Sequence, residues 1–190
     1  SAALIMTMTR SILQATLHPQ MQAGDTLLRV NQLISEDMIT RMFVTMLLLI
    51  LDTRDGTFAF ANAGHNEPLQ YHASIQSTLE VEGKKGGPLG MSRWARLRPK
   101  YPTNVGQLAP GDVLCLYTDG FPEAANASGE LMDDARFHHS VSLAVQQFQG
   151  EADAAPFITQ QLFSHMHQFR GEAPVTDDTT AIILKRKRNA

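Results

Sequence analysis

The chain has 190 residues, 43% of them hydrophobic and 18% charged, and its formal net charge is −3. This balance is typical of a globular chain and shows none of the compositional bias of a disordered one. The slightly acidic charge offers no bulk attraction to nucleic acid or to an anionic membrane. The longest apolar run, Met46 to Leu51, is too short to span a bilayer, and the single cysteine, Cys115, favours a reducing compartment. We therefore expect a soluble cytoplasmic protein without nucleic-acid or membrane partners.

The first part of the sequence has the periodicity of two helices. Leu4, Met8 and Ile12 recur at helical spacing in "SAALIMTMTRSILQATL", which predicts a first helix at the start of the chain. Asp25 then opens a second helix. The apolar face of this second helix consists of Leu27, Val30, Ile34 and Met38.

From Met42 onward the sequence has the pattern of strands. "MFVTMLLLILD" predicts a buried strand, and Asp55-Gly56 predicts the turn of a hairpin. "FAFANAGHNEPLQYH" then returns as a second strand, which is interrupted at Gly64-His65-Asn66 and continues as Leu69 to His72.

Shorter segments complete this region. "STLEVEG" predicts a short strand, and "KKGGPLGM" predicts a glycine-rich loop. Its Gly86-Gly87 pair is more typical of a loop hinge than of backbone amides that bind phosphate. "ARLRPKYPTNV" predicts an edge strand, because its prolines cannot donate to a ladder. Arginines in and just before this segment either attract a phosphoprotein or protect the edge from aggregation. They are Arg93, Arg96 and Arg98.

The last part of the sequence predicts a strand, two helices and a final strand. "VLCLYTDG" is a buried strand that follows the turn "LAPGD", and "TDDTTAIILKRK" is a polar turn that leads into the last strand. The helices between them have apolar faces formed by Phe137, Val141, Ala144 and Phe148 and by Ile158, Leu162 and Phe169. Helices, strands, helices and a strand in this order indicate an α+β fold.

Two acidic turns lie beside apolar strands. Asp119-Gly120 follows "LCLYT", and Asp177-Asp178 precedes "TTAIIL". Because one turn leaves a strand and the other enters one, antiparallel neighbours would bring both to the same sheet edge. Carboxylates that meet there repel each other unless a cation lies between them, and all-oxygen ligation suits Mg2+ or Mn2+ rather than zinc. Each acid taken alone is more typical of a turn or cap, and only the combination indicates a metal site.

Four stretches occur in the order seen in one enzyme family. They are "FVTMLLLILDTRDGTFAFANAGHNEPL", "GGPLGM", "LAPGDVLCLYTDGFPEAANASGELM" and "DDTTAIIL". Together they resemble the PPM family of metal-dependent serine/threonine protein phosphatases (protein phosphatase 2C-like), in its bacterial SpoIIE-like branch. The resemblance covers nearly the whole chain, and the combination of Asn-Ala-Gly-His-Asn with Tyr-Thr-Asp-Gly is its most specific part.

The resemblance implies a four-layer α-β-β-α sandwich that forms a single domain over residues 1–190. It also implies two Mn2+ or Mg2+ ions at one end of the sandwich, which activate the water that attacks the phosphoester. By motif, Asp119 and Asp177 resemble the family's catalytic metal ligands, and Asp178 lies next to them as a supporting ligand. His65, Asn66 and Gly120 are further candidates for substrate binding, although a turn histidine such as His65 more often has a structural role.

The chain departs from the family at its start. Other metal-binding carboxylates of the family lie on two strands before the first long helix, whereas this sequence begins with "SAALIMTMTR", which looks like the helix that follows them. We therefore expect an N-terminally truncated chain, the C-terminal portion of a larger protein, with an incomplete two-metal site that binds metal weakly. In this family a sensor or receiver domain commonly precedes the phosphatase domain.

Two functions remain open at this point. The first is a phosphatase domain that hydrolyses phosphoserine or phosphothreonine on a partner of the anti-sigma-factor antagonist type, and that is inactive as this fragment alone. The second is a catalytically silent phosphatase-like adaptor, such as the output domain of a response regulator. Retention of Asp119 and Asp177 favours the enzyme, because a decayed site has no reason to keep acids in a costly position.

The resemblance also leads to an expectation about self-association. Without the two preceding strands, apolar surface on "MFVTMLLLILD" and on the first helix would be uncovered, and soluble monomers rarely tolerate such a patch. We therefore expect a homodimer or an exchange of segments between copies.

Overall fold

A computed structural model of the chain describes residues 2–37, 42–91, 98–148 and 153–188. Within these residues the chain divides into two compact units. The first unit contains the described residues up to His65 together with Glu82–Gln107, and the second contains Asn66–Val81 and the described residues from Leu108 onward. The prediction that residues 1–190 form a single domain stays a prediction.

The described residues contain four helices and eight strands. In chain order they are α1 (Ala2–Thr16), α2 (Ala23–Asp37), β1 (Met46–Leu51), β2 (Thr57–Ala63), β3 (Leu69–His72), β4 (Ser77–Glu80), β5 (Lys85–Gly86), β6 (Asn104–Gln107), β7 (Val113–Tyr117), α3 (Asp133–Gln146), α4 (Ala154–Arg170) and β8 (Ala181–Lys185). The predicted α+β class is therefore confirmed. No described helix is both long enough and apolar enough to cross a membrane.

The first unit is organised around the β1–β2 hairpin. These strands pair in antiparallel register from Met46 opposite Ala63 to Leu51 opposite Phe58. The predicted turn between them is confirmed: Gly56 adopts a positive φ of 78° and donates its N–H to the Asp52 carbonyl at 2.9 Å. On the other side of β2, β6 pairs in antiparallel and β5 in parallel orientation.

Helix α2 packs on this sheet through small and aliphatic side chains. Leu27, Val30 and Ile34 are fully buried in one cluster with Ala61 and Ala63 of β2. Alanines on the strand allow the helix to approach closely, while the aliphatic face of α2 removes apolar area from water.

The buried face of α1 differs from the predicted face by one position. Met8 and Ile12 pack against the cluster as predicted, together with Ile5. Leu4 is instead 73% exposed. Because a helix advances 3.6 residues per turn, Ile5 stands closer than Leu4 to the face defined by Met8 and Ile12.

The second unit contains an antiparallel sheet in the order β4-β3-β7-β8, with α3 and α4 packed on it. Helix α4 begins where the Asp153 carboxylate accepts the Ala155 N–H at 3.3 Å and ends at Gly171, whose φ is 60°. The core here is aromatic. The Phe137 ring lies 4.6 Å from Tyr117 and 4.7 Å from Phe121, measured between ring centroids.

The predicted interruption at Gly64-His65-Asn66 and the predicted segment Leu69–His72 are confirmed. The prediction that the same strand continues across the interruption is wrong, because β2 and β3 belong to different sheets. Gly64 takes a positive φ of 71°. The Asn62 side chain accepts the His65 N–H at 2.8 Å and donates to the His65 carbonyl at 2.9 Å. This closed turn ends β2, so the chain leaves the first sheet before Leu69 enters the second.

Two further predictions need correction in detail. The glycine-rich loop contains strand β5, and a Cβ at Gly86 would lie 2.3 Å from the Lys100 carbonyl, so close packing rather than a hinge explains this glycine. The edge-strand prediction is displaced, since β6 starts at Asn104, beyond both prolines. Arg98 is exposed, whereas Arg93, Arg96 and Met38 lie outside the described residues.

Candidate metal centre

The ends of β7 and β8 bring the two acidic turns together. Tyr117 pairs with Ala181 at this end of the antiparallel ladder. The pairing continues beyond the strands, because the Thr118 N–H donates to the Thr180 carbonyl at 3.1 Å and the Thr180 N–H donates to Thr118 Oγ1 at 2.9 Å. Asp119 follows one side of this junction and Asp177 precedes the other.

Three carboxylates meet at this edge. Oxygen atoms of Asp119, Glu123 and Asp177 all lie within 4.8 Å of one another, and the three residues are exposed. Within the described ranges this is the one group of three or more acidic, histidine or cysteine side chains with such spacing. The donor set consists of carboxylate oxygens, which fits a hard divalent ion such as Mg2+ or Mn2+.

Glu123 is the residue that the sequence reasoning missed. Its N–H donates to the Asp119 carbonyl at 2.9 Å, so the chain makes a single turn of the i to i+4 kind after β7. That turn returns the Glu123 side chain to the side of Asp119. The available signal was the spacing of four residues between two acids in "DGFPE".

Gly120 permits a close approach between the two acidic turns. A Cβ at this position would lie 2.5 Å from the Asp178 carbonyl oxygen and 2.9 Å from Thr179 Oγ1. Its φ is not in the positive range reported for other glycines of the chain. Gly120 is therefore required by contact with the second turn rather than by its own backbone conformation.

Phe121 anchors the turn that carries Asp119 and Glu123. Its side chain is fully buried and its ring lies 4.7 Å from Phe137 of α3 and 5.2 Å from Phe163 of α4, between centroids. Exposed carboxylates thus stand directly beside a rigid aromatic core. Burial also raises the pKa of the neighbouring Tyr117 phenol above its usual range, so this hydroxyl stays protonated.

The other predicted site residues do not belong to this group of three carboxylates. Asp178 is outside the group of three, and its backbone supports the turn: its N–H donates to Asp177 Oδ1 at 2.7 Å and its carbonyl accepts the Thr118 hydroxyl at 3.2 Å. His65 belongs to the first unit, where its ring Nδ1 lies 3.3 Å from Thr45 Oγ1. Asn66 is half-buried at the start of the second unit. Their roles in binding stay predictions.

Comparison with known proteins identifies the family. The family described as Stage II sporulation protein E (SpoIIE) matches residues 1–187. The chain belongs to this family. The predicted resemblance to the SpoIIE-like branch of the protein phosphatase 2C-like proteins is thereby confirmed.

Individual relatives agree with this assignment. Phosphoserine phosphatase RsbU from Bacillus subtilis (strain 168) is 24% identical over 186 residues, which cover 98% of this chain and 52% of that protein. The crystal structure of the RsbU and RsbW domains of a Mycobacterium tuberculosis protein has a TM-score of 0.78 at 23% identity, and covers 98% of this chain and 49% of the other. The chain therefore spans about half the length of the curated relative that it matches.

A third relative was studied with a metal. The phosphatase domain of SpoIIE from Bacillus subtilis, presoaked with manganese, has a TM-score of 0.61 at 15% identity, and covers 98% of this chain and 74% of the other. At these identities the structural matches establish the fold alone.

Proposed function

We propose that this chain is part of a metal-dependent serine/threonine phosphoprotein phosphatase of bacterial signalling. The observation that supports the proposal best is the meeting of Asp119, Glu123 and Asp177 within 4.8 Å at the β7–β8 edge. Like charges brought so close repel each other unless a cation compensates them. Membership of the SpoIIE family and similarity to a phosphoserine phosphatase support the same reaction.

In this proposal the protein's own residues hold and orient the ion. Asp119, Glu123 and Asp177 supply carboxylate oxygens, the Thr118 contacts fix the spacing of the two turns, and Phe121 fixes the first turn in the core. The sequence analysis proposed Asp178 as a supporting ligand, whereas in this proposal its backbone holds the turn and its carboxylate lies outside the group of three. A divalent ion, Mn2+ or Mg2+, supplies polarisation of the phosphoryl group and activation of water for in-line attack. Further carboxylates outside this chain would complete a two-metal site.

The substrate that we propose is a phosphorylated sigma-factor regulator of the anti-sigma-factor antagonist type. RsbU-like relatives support this choice, and one of them is solved together with an RsbW domain. We also propose a cytoplasmic location, supported by the single buried thiol of Cys115, and an upstream sensor or receiver domain that regulates the activity.

The decisive experiment is Mn2+-dependent phosphate release by the full-length protein. We expect the rate of phosphate release by the Asp119→Asn variant to fall about a hundredfold or more, because the substitution removes a ligand oxygen and its negative charge. The adjacent pair Asp177→Asn and Asp178→Asn is the matched control. Asp177→Asn should lower the rate of phosphate release nearly as much as Asp119→Asn. Asp178→Asn should lower it far less, since the Asp178 carboxylate lies outside the group of three. Equal inactivity of all proteins across metals and phosphoprotein substrates would instead favour the adaptor function.

Self-association is part of the proposal. Several apolar side chains of the first unit are exposed, and β1 pairs among the described strands with β2 alone. These side chains are Leu4, Met6, Phe43, Ile50 and Val105. An open strand edge beside exposed apolar side chains favours pairing with another chain. Light scattering should give twice the monomer mass, and a monodisperse monomer would contradict this part of the proposal.

A further inference from the structure

Arg136 of α3 contacts residues 130–133, where the preceding loop enters the helix. Its Nη1 donates to the Leu131 carbonyl at 2.8 Å, and its Nη2 forms an ion pair with the Glu130 carboxylate. Its backbone N–H donates to Asp133 Oδ1 at 2.9 Å. The planar guanidinium group therefore fixes the chain over residues 130–133 from one side.

The segment that Arg136 fixes also holds the neighbours of Glu123. The Met132 N–H donates to the Ala124 carbonyl at 2.8 Å, and the Asp133 N–H donates to the Pro122 carbonyl at 2.9 Å. Pro122 and Ala124 are the residues on either side of Glu123. The backbone on both sides of Glu123 is therefore held by two hydrogen bonds whose donors lie in the segment that Arg136 holds.

Arg136 also contacts the helix that leads to the other acidic turn. Its guanidinium carbon lies 5.5 Å from the centroid of the Phe169 ring, near the end of α4. The chain continues from α4 to Asp177 and β8. One side chain thus links the loop that carries Glu123 with the helix that precedes Asp177.

These contacts matter more for geometry than for stability. Arg136 is 45% exposed, and its partners Glu130 and Asp133 are 52% and 53% exposed. Ion pairs with this exposure contribute little to the free energy of unfolding. In contrast, residues that do not bind the metal themselves but fix the orientation of its ligands strongly affect the affinity for the ion.

We infer that Arg136 is a positioning residue, which holds Glu123 within reach of Asp119 and Asp177. The metal-binding consequence of this role rests on the proposed function. The role itself, the fixing of the Glu123 loop, can be measured without any metal.

The experiment uses NMR on the 190-residue chain and its Arg136→Met and Arg136→Lys variants. Methionine keeps an unbranched stem over Phe169 but removes every side-chain donor. Lysine keeps the positive charge but not the planar guanidinium group that donates to two partners at once. The control is Arg10→Met, the same substitution at an exposed arginine of α1. Two local quantities are measured: hydrogen-exchange protection of the Met132 and Asp133 amides, and Mn2+-induced broadening of the amide signals of the three acids. The melting temperature reports global stability.

We expect Arg136→Met to lower protection of both amides and the apparent Mn2+ affinity about tenfold each. For Arg136→Lys, both the amide protection and the Mn2+ affinity should lie between those of Arg136→Met and those of the wild type. The melting temperature should change by no more than about 3 °C, and Arg10→Met should match the wild type throughout. Unchanged protection in both Arg136 variants would overturn the inference and leave the proposed function intact. Lost protection without site-specific Mn2+ broadening in the wild type would support the inference and contradict the proposed metal site.

Discussion

Both compact units pack a pair of helices on a sheet, but they fill the space between with different side chains. In the first unit the cluster consists mainly of aliphatic residues and alanines, such as Leu27, Val30 and Ala61. In the second unit the cluster is built around rings, with Tyr117, Phe121 and Phe137 in contact.

The same two units differ in their polar groups. Among the described residues, the second unit alone carries a group of three exposed carboxylates and also a buried one, Asp112. Carboxylates that lie this close repel each other, so the turns that carry them must be held in place by the surrounding structure. Interlocking rings and buried charge-assisted hydrogen bonds provide that rigidity. Among the described residues, the first unit holds no such group of carboxylates.

Asp112 gives the strongest test of this difference. It accepts hydrogen bonds from the Gln70 amide at 2.8 Å, the Ala73 N–H at 2.9 Å and the Ala109 N–H at 3.1 Å. Asp112→Ala leaves these donors without their acceptor inside the protein, so we expect a loss of about 3–5 kcal/mol in the free energy of unfolding. Urea denaturation measures this loss. Asp134→Ala, an exposed aspartate in the first turn of α3, should change stability by less than about 0.5 kcal/mol.

Gly120 tests how tightly the two acidic turns must fit. The Cβ of Gly120→Ala would lie 2.5 Å from the Asp178 carbonyl, and backbone can move away only by separating the turns. We expect a loss of about 2–3 kcal/mol together with weaker Mn2+ binding by calorimetry. Gly87→Ala is the control in the first unit, because nothing lies within 4 Å of a Cβ there. Equal effects of the two substitutions would rule out the close fit as the reason for Gly120.

Local patterns predicted much of this architecture, and the failures share one physical cause. Apolar runs and turn residues predicted the β1–β2 hairpin and the meeting of Asp119 with Asp177, because each depends on neighbours in sequence or on one strand pair. Glu123 and Asp112 were missed, since their environments arise from a backbone turn and from donors distant in sequence. The change of sheet after β2 depends on a side chain, Asn62, that closes the turn around His65. Hydrogen bonds of these kinds, which close turns or join distant segments, leave no periodic pattern in the sequence.

A matched pair of phenylalanines separates stability from site geometry. Phe121 in the second unit and Phe60 in the first are both almost completely buried. Phe121→Leu and Phe60→Leu should each cost about 1–2 kcal/mol by urea denaturation. We expect Phe121→Leu alone to weaken Mn2+ binding, because only this ring anchors the turn that carries Asp119 and Glu123. Equal Mn2+ affinities in the two variants would show that the aromatic core has no special role at the site.

The smallest expected effect concerns alkaline pH. Burial raises the pKa of the Cys115 thiol in the second unit from 9.0 to about 12 and that of the Tyr101 phenol in the first from 10.0 to about 12. As the pH rises above 9, the unfolded chain therefore releases the thiol proton while the folded chain keeps it, so folding stability falls. The phenol contributes in the same direction only from about pH 10.

At pH 9.5 the thiol contribution amounts to about 0.8 kcal/mol relative to pH 8. Cys115→Ala should therefore lose less stability over this interval than the wild type, while Tyr101→Phe should follow the wild-type curve closely. Parallel urea titrations at the two pH values measure the difference. If Tyr101→Phe flattens the curve and Cys115→Ala does not, the buried thiol is not the group that titrates first. In that case the alkaline sensitivity belongs to the aliphatic unit rather than to the aromatic one.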